Sequence, residues 1–380
     1  MRKLLVLATL MGIAFLVHAQ DSLRQQHWQI GGYVKDLQTL IHVKQPDLLI
    51  QDNLLHNRIN LRWWPNDNWT VRAELRNRLF WGDQPRINPD FKAGLDLAND
   101  YFNWSIGGMD NRGLAWHMML DRLSLEFTKG AWEISAGRQH INWGISTFWN
   151  PNDIFNAFTF TDFDYEERPG SDAVRVRYYS GVASSIELAA KMFDRPEQAV
   201  AAALFKFNRW NYDWQLLAGW AQENLVLGWG WAGNLGNAGF KGEASYFYNK
   251  KDATPNSFAL TAGIDYVFSS GLFFAGGYLY NSNGGTAGSI SNLFEFRLSA
   301  KNLYPYRHTM YLQASGAPHP LVTTGIALIY SPVKADAAFL SPTVTYSLRE
   351  NWDLDFVGQI GLDRSGSPLQ AFFLRTKWSY

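Results

Sequence analysis

Short stretches in which apolar and polar or charged residues alternate one for one constrain this chain most. Ile59-Asn60-Leu61-Arg62-Trp63 alternates, as do Val71-Arg72-Ala73-Glu74-Leu75-Arg76 and Leu123-Ser124-Leu125-Glu126-Phe127. Val174-Arg175-Val176-Arg177-Tyr178 and Phe294-Glu295-Phe296-Arg297-Leu298 continue the pattern. A period of two puts one set of side chains on each face of a β-sheet. In water the charged set faces solvent. In an outer membrane the assignment inverts, with apolar residues toward lipid and Arg and Glu around a lumen.

The start of the chain favours the membrane setting. Residues 1–19 read as a secretory signal peptide, with Arg2 and Lys3 before an apolar run from Leu4 to Val17. Val17-His18-Ala19 matches the small-residue cleavage pattern only in part, since Val stands at the first small position. The apolar run is short for a retained anchor. No run of 18 apolar residues follows it, so no transmembrane helix is expected. A mean hydropathy of −0.22 does not oppose membrane residence, because only alternate barrel residues face lipid.

Composition narrows the classes further. The absence of cysteine excludes a lipoprotein anchor, a disulfide framework and a thiolate metal site. Without Arg2 and Lys3 the chain keeps 32 basic against 34 acidic residues, a balance that points to no nucleic acid. An aromatic content of 16%, including 17 Trp, suits a protein with two membrane interfaces. Residues 20–380 are then expected to form one transmembrane antiparallel up-and-down β-barrel, an all-β fold in the outer membrane of a Gram-negative bacterium.

Segments of about ten residues recur from Trp28 to Tyr380. Short turns are expected at Pro65–Asn68, Lys129–Gly130, Ser180–Gly181, Asn208–Asn211 and Ser269–Gly271. Longer links are expected at Gly82–Asp100, Trp143–Gly170, Asn249–Asn256 and Asn281–Ser291. The segmentation yields an odd count of strands, 19. Single-chain bacterial barrels have even numbers, so 16–18 strands are expected, with the surplus placed between Lys301 and Pro342. A soluble sandwich or propeller fits less well, because no blade-length repeat is present and aromatics cluster where strands end. Tyr380, after Phe372-Phe373-Leu374, resembles the terminal signal read by the outer-membrane assembly machinery.

The candidate pore lining follows from the inverted pattern. Arg58, Arg62, Arg72, Arg76, Arg78, Arg122, Arg175 and Arg177 would point inward, with Glu74 and Glu126 on the same faces. The long loop 143–170 carries Asp153, Asp162, Asp164, Glu166 and Glu167. Folded into the lumen, those acids would oppose an arginine wall and set size limits and ion preference. The equally weighted reading is that Arg and Glu pair as ladders that fill the interior. The loop could also lie outside as a lid. Its aromatics, from Trp143 to Tyr165, are too many for a solvated loop and need a surface to pack on. Arg138 stands on the apolar face of Trp132, Ile134 and Ala136, which predicts a bulge, strand end or interfacial position for it.

The segment from Gly137 to Phe158, GRQHINWGISTFWNPNDIFNAF, followed by Glu167-Arg168-Pro169-Gly170, resembles porin-like outer-membrane proteins of the Bacteroidota type. More distantly it is similar to a proteobacterial barrel family of uncertain function with a GRQxxNWG pattern. The resemblance implies a monomeric or oligomeric barrel and carries over no catalytic residue.

Enzyme readings find little support. Ser282-Asn283-Gly284 matches part of the outer-membrane phospholipase pattern, but Tyr280 stands where the His would be, so nothing would activate the serine. His27, His42, His56, His140 and His319 show neither metal-ligand spacing nor a clear acid-paired motif, and no metal or cofactor is expected. The glycines of Gly228-Trp229-Gly230-Trp231 and Gly276-Gly277 lie on strands and should permit bending or close approach rather than phosphate binding. The expected function is an outer-membrane channel for small solutes, passive or substrate-selective. A transporter of hydrophobic compounds and a non-conducting barrel subunit are the alternatives, and the expected partners are membrane lipids, the assembly machinery and small solutes.

Overall fold

Every strand of the barrel pairs antiparallel with its neighbour in sequence, and the last pairs with the first. The computed structural model describes residues 27–380 apart from 45–46, 98, 111, 157–168, 250–254, 291, 297 and 365. The expected signal segment therefore lies outside the described residues. The strands are β1 (Trp28–Val43), β2 (Leu48–Asn66), β3 (Trp69–Gly82), β4 (Ser105–Met109), β5 (Leu114–Lys129) and β6 (Trp132–Gln139). Then follow β7 (Ser171–Gly181), β8 (Ser184–Lys191), β9 (Val200–Arg209), β10 (Tyr212–Ala221), β11 (Asn224–Leu235) and β12 (Ala238–Asn249). The circuit ends with β13 (Ser257–Val267), β14 (Phe273–Asn281), β15 (His308–His319), β16 (Val322–Ser331), β17 (Ala337–Arg349), β18 (Trp352–Asp363) and β19 (Gly366–Ser379).

Eighteen of these close the barrel, sealed where Tyr33 to Val43 of β1 pair with Ser379 to Leu369 of β19. Closure leaves no open strand edge in the hydrocarbon, as a membrane demands. The nineteenth, β4, stands outside the circuit. It pairs with Ala115–Met119 of β5, beyond the point where β6 stops at Arg138↔Leu123. In the structure the nineteenth strand is β4, and the region after Lys301 holds no surplus, since β15, β16 and β17 are all barrel strands. The alternation at Phe294–Leu298 is not a strand, for Asn292–Glu295 is a short helix within the link 282–307. Five alternating residues are too few to separate a strand from a turn of an inward-folded link.

The two ends of the barrel differ. At one end strands are joined by two-residue turns at 67–68, 130–131, 182–183, 210–211, 236–237, 320–321 and 350–351, and both barrel termini lie there. Trp210 and Asn211 both adopt positive φ, 58° and 61°, the mirror-image turn whose twist suits a two-residue hairpin. At the other end lie the links 83–113, 140–170 and 282–307. The first of these includes the short helices α1 (Asp83–Ile87) and α2 (Phe91–Asp96). Short turns mark the periplasmic end of such barrels and long links the extracellular end.

The outer surface explains why the fold suits a bilayer. Leu216, Leu227, Leu312, Ile326, Val344 and Phe356 all stand exposed on outward faces. Near the turn end, rings meet across strands: Trp132 with Tyr178 at 4.8 Å, tilted, and Trp214 with Trp229 at 5.7 Å and Trp352 with Trp378 at 6.0 Å, both stacked. Trp81, Trp220, Tyr246 and Tyr248 stand exposed toward the opposite end. These are the two aromatic girdles of a membrane barrel.

Candidate functional site

The inward faces of β2 and β3 set cations directly opposite one another. Arg58 faces Arg76 and Arg62 faces Arg72 in the strand register, with Asn60 and Glu74 between these pairs, and the His56 imidazole stands opposite Arg78. Like charges placed opposite across a sheet repel unless bridged. Asp121 bridges one pair, its carboxylate 2.5 Å from Arg58 Nη1 and 2.9 Å from Arg76 Nη2. Glu74 takes the other side of Arg58 at 2.5 Å. Asp121 reaches the lumen because a bulge at Glu74/Leu75 shifts the register of β5, so that Asp121 and Arg122 both turn inward.

The charges continue around the wall as a ladder. Arg72 meets Glu126 at 3.3 Å, Arg175 meets Glu133 at 2.7 Å, and Arg177 lies 2.5 Å from Glu187 and 3.4 Å from Glu133. On the far side of the seam Arg375 meets Asp355 at 2.9 Å. Lys35 and Lys377 are opposite each other on β1 and β19, both near the Tyr33 ring. Arg62 ends the series at the turn end, exposed and 5.8 Å from the Trp64 ring.

The wall from β8 to β17 carries few charges and is covered by the chain itself. After β6 the chain turns into the lumen, so that Trp143, Ile141, Asn152 and Ile154 are buried. Glu243 of β12 holds this loop. Its carboxylate accepts the backbone N–H groups of Ile145, of Ser146 at 2.6 Å and of Asn152 at 3.0 Å. Charge-assisted bonds of this kind are among the strongest in a protein. Trp143 donates its indole N–H to Glu187 at 2.7 Å, and Gln215 donates to the Trp143 carbonyl at 2.9 Å. Ser245 donates to the Asn152 side chain at 2.6 Å.

Glycine makes the room. A Cβ on Gly228 would lie 2.4 Å from Asn152 Oδ1, so no larger residue fits beneath the loop at that point. The expectation of close approach for the Gly228-Trp229-Gly230-Trp231 stretch holds: glycine faces the loop while Trp229 stands exposed outside.

The link 282–307 also folds inward. Trp149 meets Tyr304 edge to face at 5.7 Å, and Ile290, Leu303 and Tyr306 join them in one apolar cluster against Leu279, Ile329 and Phe339. Ile141, Trp143 and Phe155 pack in a second cluster against Leu204, Leu217, Val226 and Phe247. Burial pushes the Tyr306 phenol up to about 12, so it remains neutral and donates to the Ser289 carbonyl. Under the loop at the turn end, Ile145, Tyr179, Lys206, Asp213 and Gln215 line a cavity of about 400 Å³.

At the extracellular rim, α2 sits against the charged wall. Asp96 accepts from Lys92 at 2.7 Å, from Ser105 at 2.7 Å and from His117 at 3.1 Å. Partial burial works against the Asp96 carboxylate, but the hydrogen bonds from Lys92, Ser105 and His117 outweigh it and hold the group below its ordinary 3.8. Arg138 stands at a strand end, as expected, and pairs with Asp172 at 2.9 Å on the outer face. The segment 99–104 lies over that pair, Phe102 accepting from Arg138 through its carbonyl and donating to Asp172 through its N–H. Gly137, at φ 113°, precedes Arg138 where β6 runs close to β5, since a Cβ there would lie 2.3 Å from the Leu123 carbonyl oxygen.

In the strand register Arg58, Arg62, Arg72, Glu74, Arg76, Arg78, Arg122, Glu126, Arg175 and Arg177 fall on the faces of β2, β3, β5 and β7 that carry the ion-pair ladder. Most are paired, so the ladder describes the wall itself. Of the loop acids, Asp153 is buried at 2% exposure and does not line an opening. Asp162, Asp164, Glu166 and Glu167 lie outside the described residues. Sequence reasoning missed Asp121, Glu133, Glu187 and Glu243. Glu133 was visible in the alternation Trp132-Glu133-Ile134-Ser135-Ala136, whereas Asp121 was hidden by the bulge.

No family model matches the chain, and no curated protein does. Solved structures do. Pseudomonas aeruginosa OccK11 (OpdR) superposes with a TM-score of 0.58 at 9% identity, over 93% of this chain and 95% of that one. Acinetobacter baumannii OccAB4 gives 0.62 at 7% identity, over 95% and 100%. Pseudomonas aeruginosa OccK7 (OpdD) gives 0.61 at 9% identity, over 93% and 99%. At such identities the likeness is one of fold: the chain shares the complete barrel of these Occ proteins.

Proposed function

We propose that this protein is an outer-membrane channel through which small solutes pass between the arginine wall and the infolded loop. The observation that carries the reading is the loop 140–156, held inside the barrel by Glu243 opposite a wall of Arg side chains. Charged groups set at close quarters in a narrowed lumen select by size and charge. The cavity beneath the loop supplies a vestibule on the turn side. The ten residues from Arg58 to Arg177 line the path in this reading, and Asp162, Asp164, Glu166 and Glu167, outside the described residues, are its further candidate acids. Kinship with porin-like proteins of the Bacteroidota type rests on the Gly137–Gly170 segment. Residues 1–19 are removed on export, and the assembly machinery inserts the barrel 20–380.

Packing argues against a carrier of greasy compounds. The aromatics Trp143, Phe148, Trp149 and Phe155 are engaged with the barrel wall or the second inward link, not displayed to a ligand. Purified protein in planar bilayers should give discrete conductance steps. Silence from both the wild type and a variant lacking residues 145–165 would reject the channel.

A further inference from the structure

Beneath the infolded loop, inward residues of β8, β9 and β10 form one row across the sheet. Ser185 stands opposite Lys206 and Lys206 opposite Gln215, with Gly230 of β11 next in line. Asp213 lies one step nearer the turn end, opposite Asn208 and Ala232. Glu187 and Leu204, each two residues from the row on β8 and β9, are buried inside the barrel, which fixes this face as the inward one. All four polar side chains line the cavity of about 400 Å³ on the turn side of the loop.

The row is chemically incomplete. The Lys206 ammonium has no hydrogen-bond or ion-pair partner among the described residues, and the Ser185 hydroxyl has none either. Carboxylates nearby are engaged elsewhere, Glu187 with Arg177 and the Trp143 indole, Glu243 with the loop backbone. Gln215 is 0% exposed, and its amide nitrogen donates to the Trp143 carbonyl at 2.9 Å, while its Oε1 meets no donor. Asp213, exposed at the cavity mouth, accepts from the neutral Asn208 amide at 2.8 Å. A buried acceptor and a half-buried ammonium without partners cost free energy that a ligand carrying both complements recovers.

We propose that this pocket binds a small zwitterion, an amino-carboxylate, at the periplasmic mouth of the barrel. The donors Ser185 and Lys206 stand on β8 and β9, the acceptors Asp213 and Gln215 on β10, so opposite poles lie side by side. Lys206 and Asp213 are diagonal neighbours, about 7–8 Å apart at the backbone. A carboxylate meets Lys206 and Ser185 while an ammonium meets Asp213 and Gln215 Oε1, each through charge-assisted hydrogen bonds. A plain anion would face the Asp213 carboxylate and leave Gln215 without a donor. A plain cation would face Lys206. Gly230 and Ala232 carry too little side chain to fill the space between. The inference rests on the channel reading for the arrival of the solute, and it places the site on the wall away from the paired arginines of β2 and β3.

Three solutes of one skeleton test it: alanine, lactate, which replaces the ammonium by hydroxyl, and alaninamide, which lacks the carboxylate. The sequence has no cysteine, so Ala232→Cys puts the sole thiol on the cavity wall, and the readout is its rate of alkylation by a maleimide. Millimolar alanine should slow labelling several-fold, lactate less, and alaninamide not at all. Asn237→Cys, in the turn outside the cavity, should label at one rate throughout. Adding Lys206→Met should abolish protection by alanine, and adding Asp213→Asn should bring alanine down to the level of lactate, both in heat-modifiable folded protein. The proposal is overturned if no solute protects, if all three protect alike, or if protection by alanine survives Lys206→Met. Labelling needs no current: protection in a protein silent in bilayers rejects the channel alone, and conductance without protection rejects this site alone.

Discussion

The two walls of the lumen bury polar strands by opposite means. From β1 to β7 the inward positions carry many cations, and neighbouring cations share carboxylates, Arg58 and Arg76 sharing Asp121 and Arg175 and Arg177 sharing Glu133. From β8 to β17 inward charges such as Glu187, Lys206, Asp213 and Glu243 are interspersed with small and apolar residues, and two chain segments fold in against them. One wall is held by charge and stays polar. The other is held by packing and pinned by two carboxylates, Glu243 on the loop backbone and Glu187 on the Trp143 indole. On the channel reading, a solute would meet the first wall as a surface of fixed charge and the second as a partition that narrows the lumen.

The charged wall should fail most severely when one member of a buried pair is lost. Arg58 is 1% exposed between Asp121 and Glu74, so Arg58→Met leaves two carboxylates without their shared cation. Breaking a buried pair from one side costs about 3–5 kcal/mol. Urea unfolding in lipid vesicles should show a loss of that order. A midpoint equal to wild type would mean that Asp121 and Glu74 are held by other groups.

On the packed wall the expected change is in conductance rather than folding. Glu243→Ala removes the acceptor of three backbone N–H groups, each costing about 1–3 kcal/mol if left buried and unmet. The loop should leave its seat and single-channel conductance should rise, with the barrel still folded. Gly228→Val attacks the same seat sterically, since its Cβ would press on Asn152. Overpacking costs about 1–3 kcal/mol, so the rise should be smaller. Unchanged conductance in both variants would show that this loop does not set the width.

The difference between the walls also decides what the sequence disclosed. Alternation of Arg and Glu with apolar residues is a direct record of the charged wall, and every Arg read from it faces inward. It failed locally at Asp121, where the bulge puts two successive residues on one side. The packed wall left no such record. Leu216 and Leu217 face opposite sides of β10, one to lipid and one to the infolded loop, and hydrophobicity cannot tell those surroundings apart. The same blindness turned Phe294–Leu298 into an expected strand and hid β4, which is only five residues long. Glu243 could not be singled out, because its role depends on backbone groups far away in sequence.

A smaller effect separates the exposed end of the charged wall from its buried middle. Arg62 is exposed and lacks a carboxylate partner among the described residues, so Arg62→Gln should leave stability near wild type. Its charge should still bias ions entering from the turn end. The reversal potential in a KCl gradient should move toward cation preference, and the shift should fade in concentrated salt as screening shortens to about 3 Å at 1 M. A shift that persisted at high salt would point to a change in pore shape instead.

The smallest expected effect lies at the rim, where α2 sits on the charged wall. Asp96 ties α2 to β4 through Ser105 and to β5 through His117. Its carboxyl is depressed in the folded protein, burial being outweighed by the hydrogen bonds from Lys92, Ser105 and His117. A group lowered on folding contributes its full stabilisation above the ordinary value of 3.8 and loses it as pH falls through the lower folded value. Hydrogen exchange in 83–113 should therefore be slow at neutral pH and quicken below 3.8, while the turn-end hairpins stay protected. Asp96→Asn should remove that acid-dependent step and exchange faster already at neutral pH. Protection that stayed constant through the acid range in the wild type would show that α2 is seated by its apolar contacts, as the packed wall is, and not by its charges.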